Sequence, residues 1–250
     1  MITVASSFDR LKAPENLHAR VTRALALRVI EGERASTPVI FPNEAGLCEQ
    51  LGVSRSILRE AVKVLVDKGM LEVRPRSGTR SRPRDEWNLL DPDILGWQAE
   101  LKPDARFLRD LCEVRLAIEP TAAGFAALRA TAEEIDEIRN CLERREAHLQ
   151  SAEIEQAVDL DLHFQAAVIA ASHNPLFQQL NGVIRQPFRA ALGYTVRLPA
   201  AVALDVAGCR AIFDGIVGRN PLAARAASEE TVGLAMIAVE QVIRSLEKSS

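Results

Sequence analysis

Between Phe41 and Arg80 the order of caps, stops and apolar spacing leaves the chain little choice of fold. Asn43 can accept the free N–H groups of a helix running from Glu44 to Leu51. Gly52 ends that helix, because glycine tolerates the positive φ of a helix stop. Val53 plugs the turn. Ser54 then caps a second helix, Arg55 to Lys68. Its Ile57, Leu58, Ala61, Val62, Leu65 and Val66 recur at three and four, which predicts one buried face. The opposite face opens with Arg55, Ser56 and Arg59. Gly69 stops the helix, Leu71 to Arg74 reads as a strand, and Pro75 to Gly78 reads as the turn after it.

Two short helices about a glycine turn, the second opened by small polar residues and arginine, are a helix-turn-helix; such a second helix enters a DNA major groove N-terminus first. The hairpin adds a basic wing of Arg74, Arg76, Arg80, Arg82 and Arg84. The net charge of -3 argues against nucleic acid only until it is divided. Residues 1–84 hold 15 Lys and Arg against 9 Asp and Glu, and the remainder holds 16 against 25. A basic head on an acidic body suits a domain that touches phosphates and a body that does not.

The stretch resembles the winged-helix domain of the GntR family of bacterial regulators. The residues that carry the likeness are Phe41-Pro42-Asn43-Glu44, Gly52-Val53-Ser54-Arg55-Ser56, Arg59-Glu60-Ala61 and Gly78-Thr79. The resemblance implies contacts to double-stranded operator DNA from Ser54, Arg55, Ser56, Arg59, Arg76 and Gly78. Many relatives carry arginine directly after the Glu44 position, where this chain has Ala45, so the operator sequence does not carry over.

Before this stretch, Pro14 to Gly32 is predicted as a helix with an apolar stripe of Leu17, Val21, Leu25 and Val29. After it, Trp87 and Leu89-Leu90 are expected to dock on the body. Asp91-Pro92 opens a helix to Glu100. Beyond Pro103 the pattern is helical throughout. Asp104 to Glu119 forms one helix, and Pro120 kinks or breaks it before Ala122 to Arg129. Thr131-Ala132-Glu133-Glu134 is a capping box that opens a helix to Gln150. Ala152 to Ser172, Pro175 towards Tyr194, Leu198 to Val217 and Pro221 to Leu246 follow. The fold class is mainly α: an N-terminal winged helix-turn-helix with a small β-hairpin wing, then an all-α antiparallel bundle of six or seven helices. The domains are 13–84 for DNA binding, 85–92 as linker, and 93–247 for ligand binding and dimerisation.

No apolar run approaches the roughly 20 residues that span a bilayer. The first residues lack the basic-then-apolar order of a signal peptide, so a cytoplasmic protein with no membrane partner is expected. Cys48, Cys112, Cys141 and Cys209 are too scattered for a disulfide framework or a zinc finger.

In the body, Asp159 and His163 lie four apart and share a helix face, a spacing that can supply two ligands to a divalent metal. The same pair could form a hydrogen bond without metal, or lie on a surface. Arg115 sits in an apolar stretch; its guanidinium suits a carboxylate, either a ligand's or that of Glu119. Arg189, and less directly Arg185, could serve likewise. His148 and His173 read as a solvated face and a helix end. The body resembles the helical ligand-binding domain of the FadR-type branch, sugar-acid regulators in particular. Its signposts are Glu113-Val114-Arg115, Ile118-Glu119-Pro120, Asp159 to His163 and Ser172-His173-Asn174-Pro175. The resemblance implies a ligand site of Arg115, Asp159, His163, Arg189, Cys209 and Thr231. In that branch an Asp and a His often join two further histidines around a metal such as zinc or nickel. This chain has Cys209 and Thr231 at those two positions.

The leading function is a ligand-responsive transcriptional regulator: a homodimer that represses a sugar-acid operon until a small organic acid binds the body. Two alternatives stay open. One is a DNA-binding dimer with a degenerate sensor, and the other a metal-dependent hydrolase on Asp159 and His163. Against the enzyme, the sequence shows no activated nucleophile and no phosphate-cradling glycine loop.

Overall fold

The computed structural model describes residues 17–74, 78–101, 104–151, 153–195 and 199–247. The chain divides into two compact units, the first ending at Asn88 and the second starting at Leu89. In the first unit α1 spans Leu17–Arg34, α2 Glu44–Leu51 and α3 Arg55–Asp67. The caps are those the sequence predicts. Asn43 Oδ1 accepts the Gly46 N–H at 2.9 Å, Ser54 Oγ accepts the Ile57 N–H at 3.4 Å, and Gly52 closes α2 at φ +64°. The buried stripe of α3 is narrower than expected. Leu58, Ala61 and Leu65 face the core, Ile57 and Val62 are half-buried, and Val66 lies exposed. Val21, Leu25, Ala26, Val29 and Ile30 of α1 are buried in turn, and α1 packs on α3. Helix α1 runs past its predicted stop at Gly32. That glycine serves close packing instead, since a Cβ there would overlap Val39 and stand 2.9 Å from the Thr37 carbonyl oxygen.

Strands β1 (Leu71–Arg74) and β2 (Gly78–Ser81) pair antiparallel, with Leu71 opposite Ser81. The link before α2 adds a third edge. The Phe41 N–H donates to Thr79 at 2.9 Å and the Ser81 N–H to Val39 at 2.8 Å, around a bridge between Ile40 and Arg80. Trp87 is buried and belongs to the first unit. Its indole N–H donates to the Arg82 carbonyl at 3.0 Å, and a Cβ on Gly69, which stands at φ +78°, would lie 3.2 Å from the Trp87 Cα. The Asn88 N–H then donates to the Lys68 carbonyl at 2.9 Å, so the chain through Asn88 folds back on the first unit. Leu90, expected to be covered, is mostly exposed.

The described residues of the second unit form α4 (Pro92–Glu100), α5 (Ala105–Arg129), α6 (Ala132–Gln150), α7 (Ile154–Ala171), α8 (Pro175–Thr195), α9 (Pro199–Val217) and α10 (Pro221–Glu247). The Thr131–Glu134 capping box is complete. Pro120 does not break α5. Ile118, Glu119, Pro120, Ala122 and Ala123 are all buried, and this packing outweighs the one helical bond that proline cannot donate. The main core joins Ile138 and Leu142 of α6, Phe164 of α7, and Ile212 and Ile216 of α9. Smaller clusters gather Leu108, Leu162 and Ile243, and Leu95, Phe107 and Ile184.

Helices α9 and α10 close on each other through glycine. A Cβ on Gly208 would overlap Thr231, and one on Gly215 would stand 2.6 Å from the Ala224 nitrogen. The paired residue numbers share one sum, as an antiparallel helix pair in fixed register requires. Successive contacts fall two turns apart, the spacing of shallow-angle packing.

Candidate functional site

In the first unit Ser54, Arg55, Ser56 and Arg59 all open α3 on its solvent face. The Arg55 and Arg59 side chains are three-quarters exposed. Glu44, the first residue of α2, stands between them at 4.0 and 3.8 Å. On the wing, Arg74 and Arg80 both reach Glu72, at 3.1 Å from Arg74. The Arg80 hydrogen bond holds the Glu72 carboxyl below its ordinary range against a small opposing effect of burial, with help from Arg74. Arg82 pairs with Glu86 at 2.5 Å. The wing thus carries its cations with acidic partners interleaved, which counting arginines does not reveal. Gly78 takes φ +81° at the start of β2, and Arg76 lies outside the described residues.

In the body the six predicted ligand positions separate into two groups. Asp159 and His163 lie on the outer face of α7, opposite Arg189 and Arg185 of α8. Arg189 grips Asp159 with two hydrogen bonds, Nε to Oδ1 at 2.7 Å and Nη2 to Oδ2 at 3.3 Å. That hydrogen bond chiefly, with the charges of Arg189, His163 and Arg185, lowers the Asp159 pKa against slight desolvation. His163 Nδ1 donates to the Asp159 carbonyl at 2.6 Å, and its Nε2 accepts from Arg185 Nη2 at 3.2 Å.

Arg115, Cys209 and Thr231 belong to the interior. Arg115 is buried and forks onto Glu119, at 2.6 and 3.1 Å. Burial works against its charge, and the Glu119 carboxylate, seconded by Asp161, more than offsets this and raises its pKa. Of the two partners the sequence left open for Arg115, the structure places Glu119 on it. Cys209 is fully buried, its thiol 3.9 Å from Asp161 Oδ1. Thr231 donates to the Ala227 carbonyl at 2.8 Å and presses on Gly208. The four positions suggested for a metal therefore do not converge. Among the described residues no three His, Cys, Asp or Glu side chains come together as metal ligands. The two that adjoin, Asp159 and His163, already face guanidinium groups, so the residues present do not fit a metal centre.

Sequence reasoning missed Asp161 and Arg145, a buried ion pair at 3.2 Å beside Cys209. The signal was present for Arg145: with Ile138 and Leu142 it completes a stripe of four-then-three spacing. The charged run around it hid that spacing. Asp161 was masked by its neighbours Asp159 and His163, which point the other way. His173, with φ +52° just past α7, holds both Glu134 oxygens at 3.0 Å.

Comparison with known proteins places these features. Residues 17–80 match the bacterial regulatory proteins of the gntR family, and residues 110–233 match the FCD domain. The chain is 32% identical over 224 residues to the galactonate operon transcriptional repressor of Escherichia coli K12, covering 88% of this chain and 93% of that one. It is 36% identical over 138 residues to the Glc operon transcriptional activator of the same organism, covering 54% and 52%. Among solved structures, Lar, which controls expression of the Listeria monocytogenes agr system, shares the fold. Its TM-score is 0.58 at 18% identity, over 93% of this chain and 99% of that one. No helix among the described residues is long and apolar enough to cross a membrane. With both halves matched in order and a relative similar along nearly its whole length, the chain belongs to the gntR family of bacterial regulators in its FCD-domain branch, a DNA-binding transcriptional regulator and not an enzyme.

Proposed function

We propose that the chain binds its operator as a homodimer and represses a sugar-acid catabolic operon. A small organic acid that binds between α7 and α8 releases it. Arg55, Ser56 and Arg59, exposed at the start of α3, would meet base edges and phosphates in the groove. Ser54, Gly78, Arg76 and the other wing arginines would meet the backbone. Two-fold symmetry in the dimer implies a near-palindromic site. The acid acts by binding two arrangements of the protein unequally. The similarity to a galactonate operon repressor supports the sugar-acid class.

One observation carries the effector reading. The α7–α8 cluster holds two guanidinium groups against one carboxylate, and Arg185 faces an imidazole nitrogen instead of an acid. A carboxylate ligand would complete the charge and take the paired donors that an arginine offers. The test is fluorescence anisotropy on a promoter fragment from the protein's own locus, with galactonate, gluconate, hexuronates and glycolate added in turn. Release by one of them is the expected result; operator affinity indifferent to all would remove the effector reading.

A second reading has its own observation. Arg115 and Arg189 both already grip carboxylates of their own chain, as in a body that only dimerises. A thermal-shift screen separates the two, since a ligand at 100 times its Kd adds about 2.7 kcal/mol.

A further inference from the structure

Helix α10 packs one side into the body and leaves the other outside. Ala224, Val232, Val239 and Ile243 are buried on the inner side. On the outer side Leu222, Ala226, Gly233 and Ile237 follow one another at spacings of four and seven, which puts them on a single face. Leu222 is 78% exposed and Ile237 57% exposed. Nothing lies within 4 Å of the place a Cβ on Gly233 would occupy. Ile237 is therefore a knob, and Gly233, one turn before it, is a hole on the same face. Charge divides along this face as well. Glu229 and Glu230, both exposed, stand one turn before the hole, and Arg244, also exposed, stands two turns beyond the knob.

We propose that the outer face of α10 pairs with the same face of a second copy of this chain, antiparallel about a two-fold axis passing between Gly233 and Ile237. This rests on the homodimer reading above and gives that dimer its surface. A two-fold contact uses one patch twice, so the patch must complement itself. A knob and a hole one turn apart do so only when the second helix is turned end for end: each Ile237 then enters the space over the other chain's Gly233. The same register sets Arg244 opposite the partner's Ala226. That short side chain lets the guanidinium lie across it towards the partner's Glu229 and Glu230, about 5–6 Å farther along the helix. Opposite charges therefore meet on both sides of the axis. A parallel pairing would set the glutamates against their own copies and Arg244 against its own, so charge selects the end-for-end arrangement. Glu240 comes near the partner's Glu230 in this register. It is already gripped by Arg109 of α5, Nη2 to Oε2 at 2.9 Å, so an arginine accompanies it into the seam.

Gly233 makes the proposal testable without damage to the fold. It is a helical glycine whose Cβ would meet open space, so a larger residue fills the hole without a clash inside its own chain and improves helix propensity. The experiment is sedimentation velocity over a concentration series on the full chain. The variants are Gly233→Leu, Ile237→Glu, Arg244→Glu, and Arg244→Glu combined with Glu229→Lys and Glu230→Lys. Wild type should sediment as a dimer. The dimer Kd should rise about tenfold or more in each of the first three variants. Gly233→Leu should keep the far-ultraviolet circular dichroism of wild type, which separates lost pairing from lost fold. The combined charge reversal should regain most of the pairing that Arg244→Glu loses. A dimer unchanged in every variant overturns this face as the interface and leaves the homodimer reading intact. Pairing lost in Arg244→Glu and not regained on reversal overturns the end-for-end register. A wild type that stays monomeric at its highest soluble concentration removes the homodimer reading and this proposal with it.

Discussion

The Asp161 carboxylate lies 3.2 Å from the Arg145 guanidinium, with both side chains all but sealed from solvent. Pairs of this kind stabilise little as a whole but are costly to halve, because the surviving charge stays buried. Asp161→Leu should destabilise the body by about 3–5 kcal/mol. Asp161→Leu with Arg145→Met should recover most of that loss. Urea unfolding of the two variants checks it; a double variant no better than the single one would place the cost in packing.

Two glycines should respond in opposite ways to the same substitution. Gly215→Ala drives a methyl to within 2.6 Å of the Ala224 backbone and should cost about 1–3 kcal/mol. Gly182→Ala meets open space and should stabilise by up to about 1 kcal/mol. Thermal melts of the pair are sufficient, and a common direction would contradict the α9–α10 seam.

Arg59→Ala should weaken operator binding by about 1–3 kcal/mol while leaving association of the chains unchanged. Glu44→Gln should act the other way. It releases Arg55 and Arg59 from a shared carboxylate at 4.0 and 3.8 Å, and an exposed pair is worth about 0.2–1 kcal/mol. A modest gain in affinity at low salt is expected, read by anisotropy across a salt series. A loss would make Glu44 a DNA-facing residue in its own right.

The Glu134 carboxyl sits below its ordinary pKa, chiefly because the Thr131 N–H donates to it, with burial opposing and His173 assisting. A depressed folded-state value contributes stability that is complete above the unfolded value of about 4.3. The contribution is lost as pH falls through the folded value. Glu134→Gln should therefore flatten the acid limb of a stability-against-pH curve below that point. An unaltered limb would show that the capping box contributes nothing ionic.

The elements legible in advance were those written in a few consecutive residues. Asn43, Ser54, Asp91 and the Thr131–Glu134 box each satisfy N–H groups within three positions, so a short window of sequence contains both partners. What misled were features decided across the fold. Pro120 stays helical because its neighbours are buried, and the backbone at Glu86 and Trp87 packs against Gly69 because that residue has no Cβ. The suggested ligand set failed for the same reason. Asp159 and Asp161 are two apart, so a helix sends them to different faces, and only the packing of α9 and α10 decides which face meets Cys209 and Thr231. Arg185 and Arg189 were visible as a pair one turn apart, but their matching rungs on α7 needed the register.

The bond from the Asn88 N–H to the Lys68 carbonyl fixes the last residue of the first unit. Lys68 is the cap of α3, the helix that opens with Arg55 and Arg59. The point at which the chain leaves the first unit and the foot of that helix therefore share one mooring.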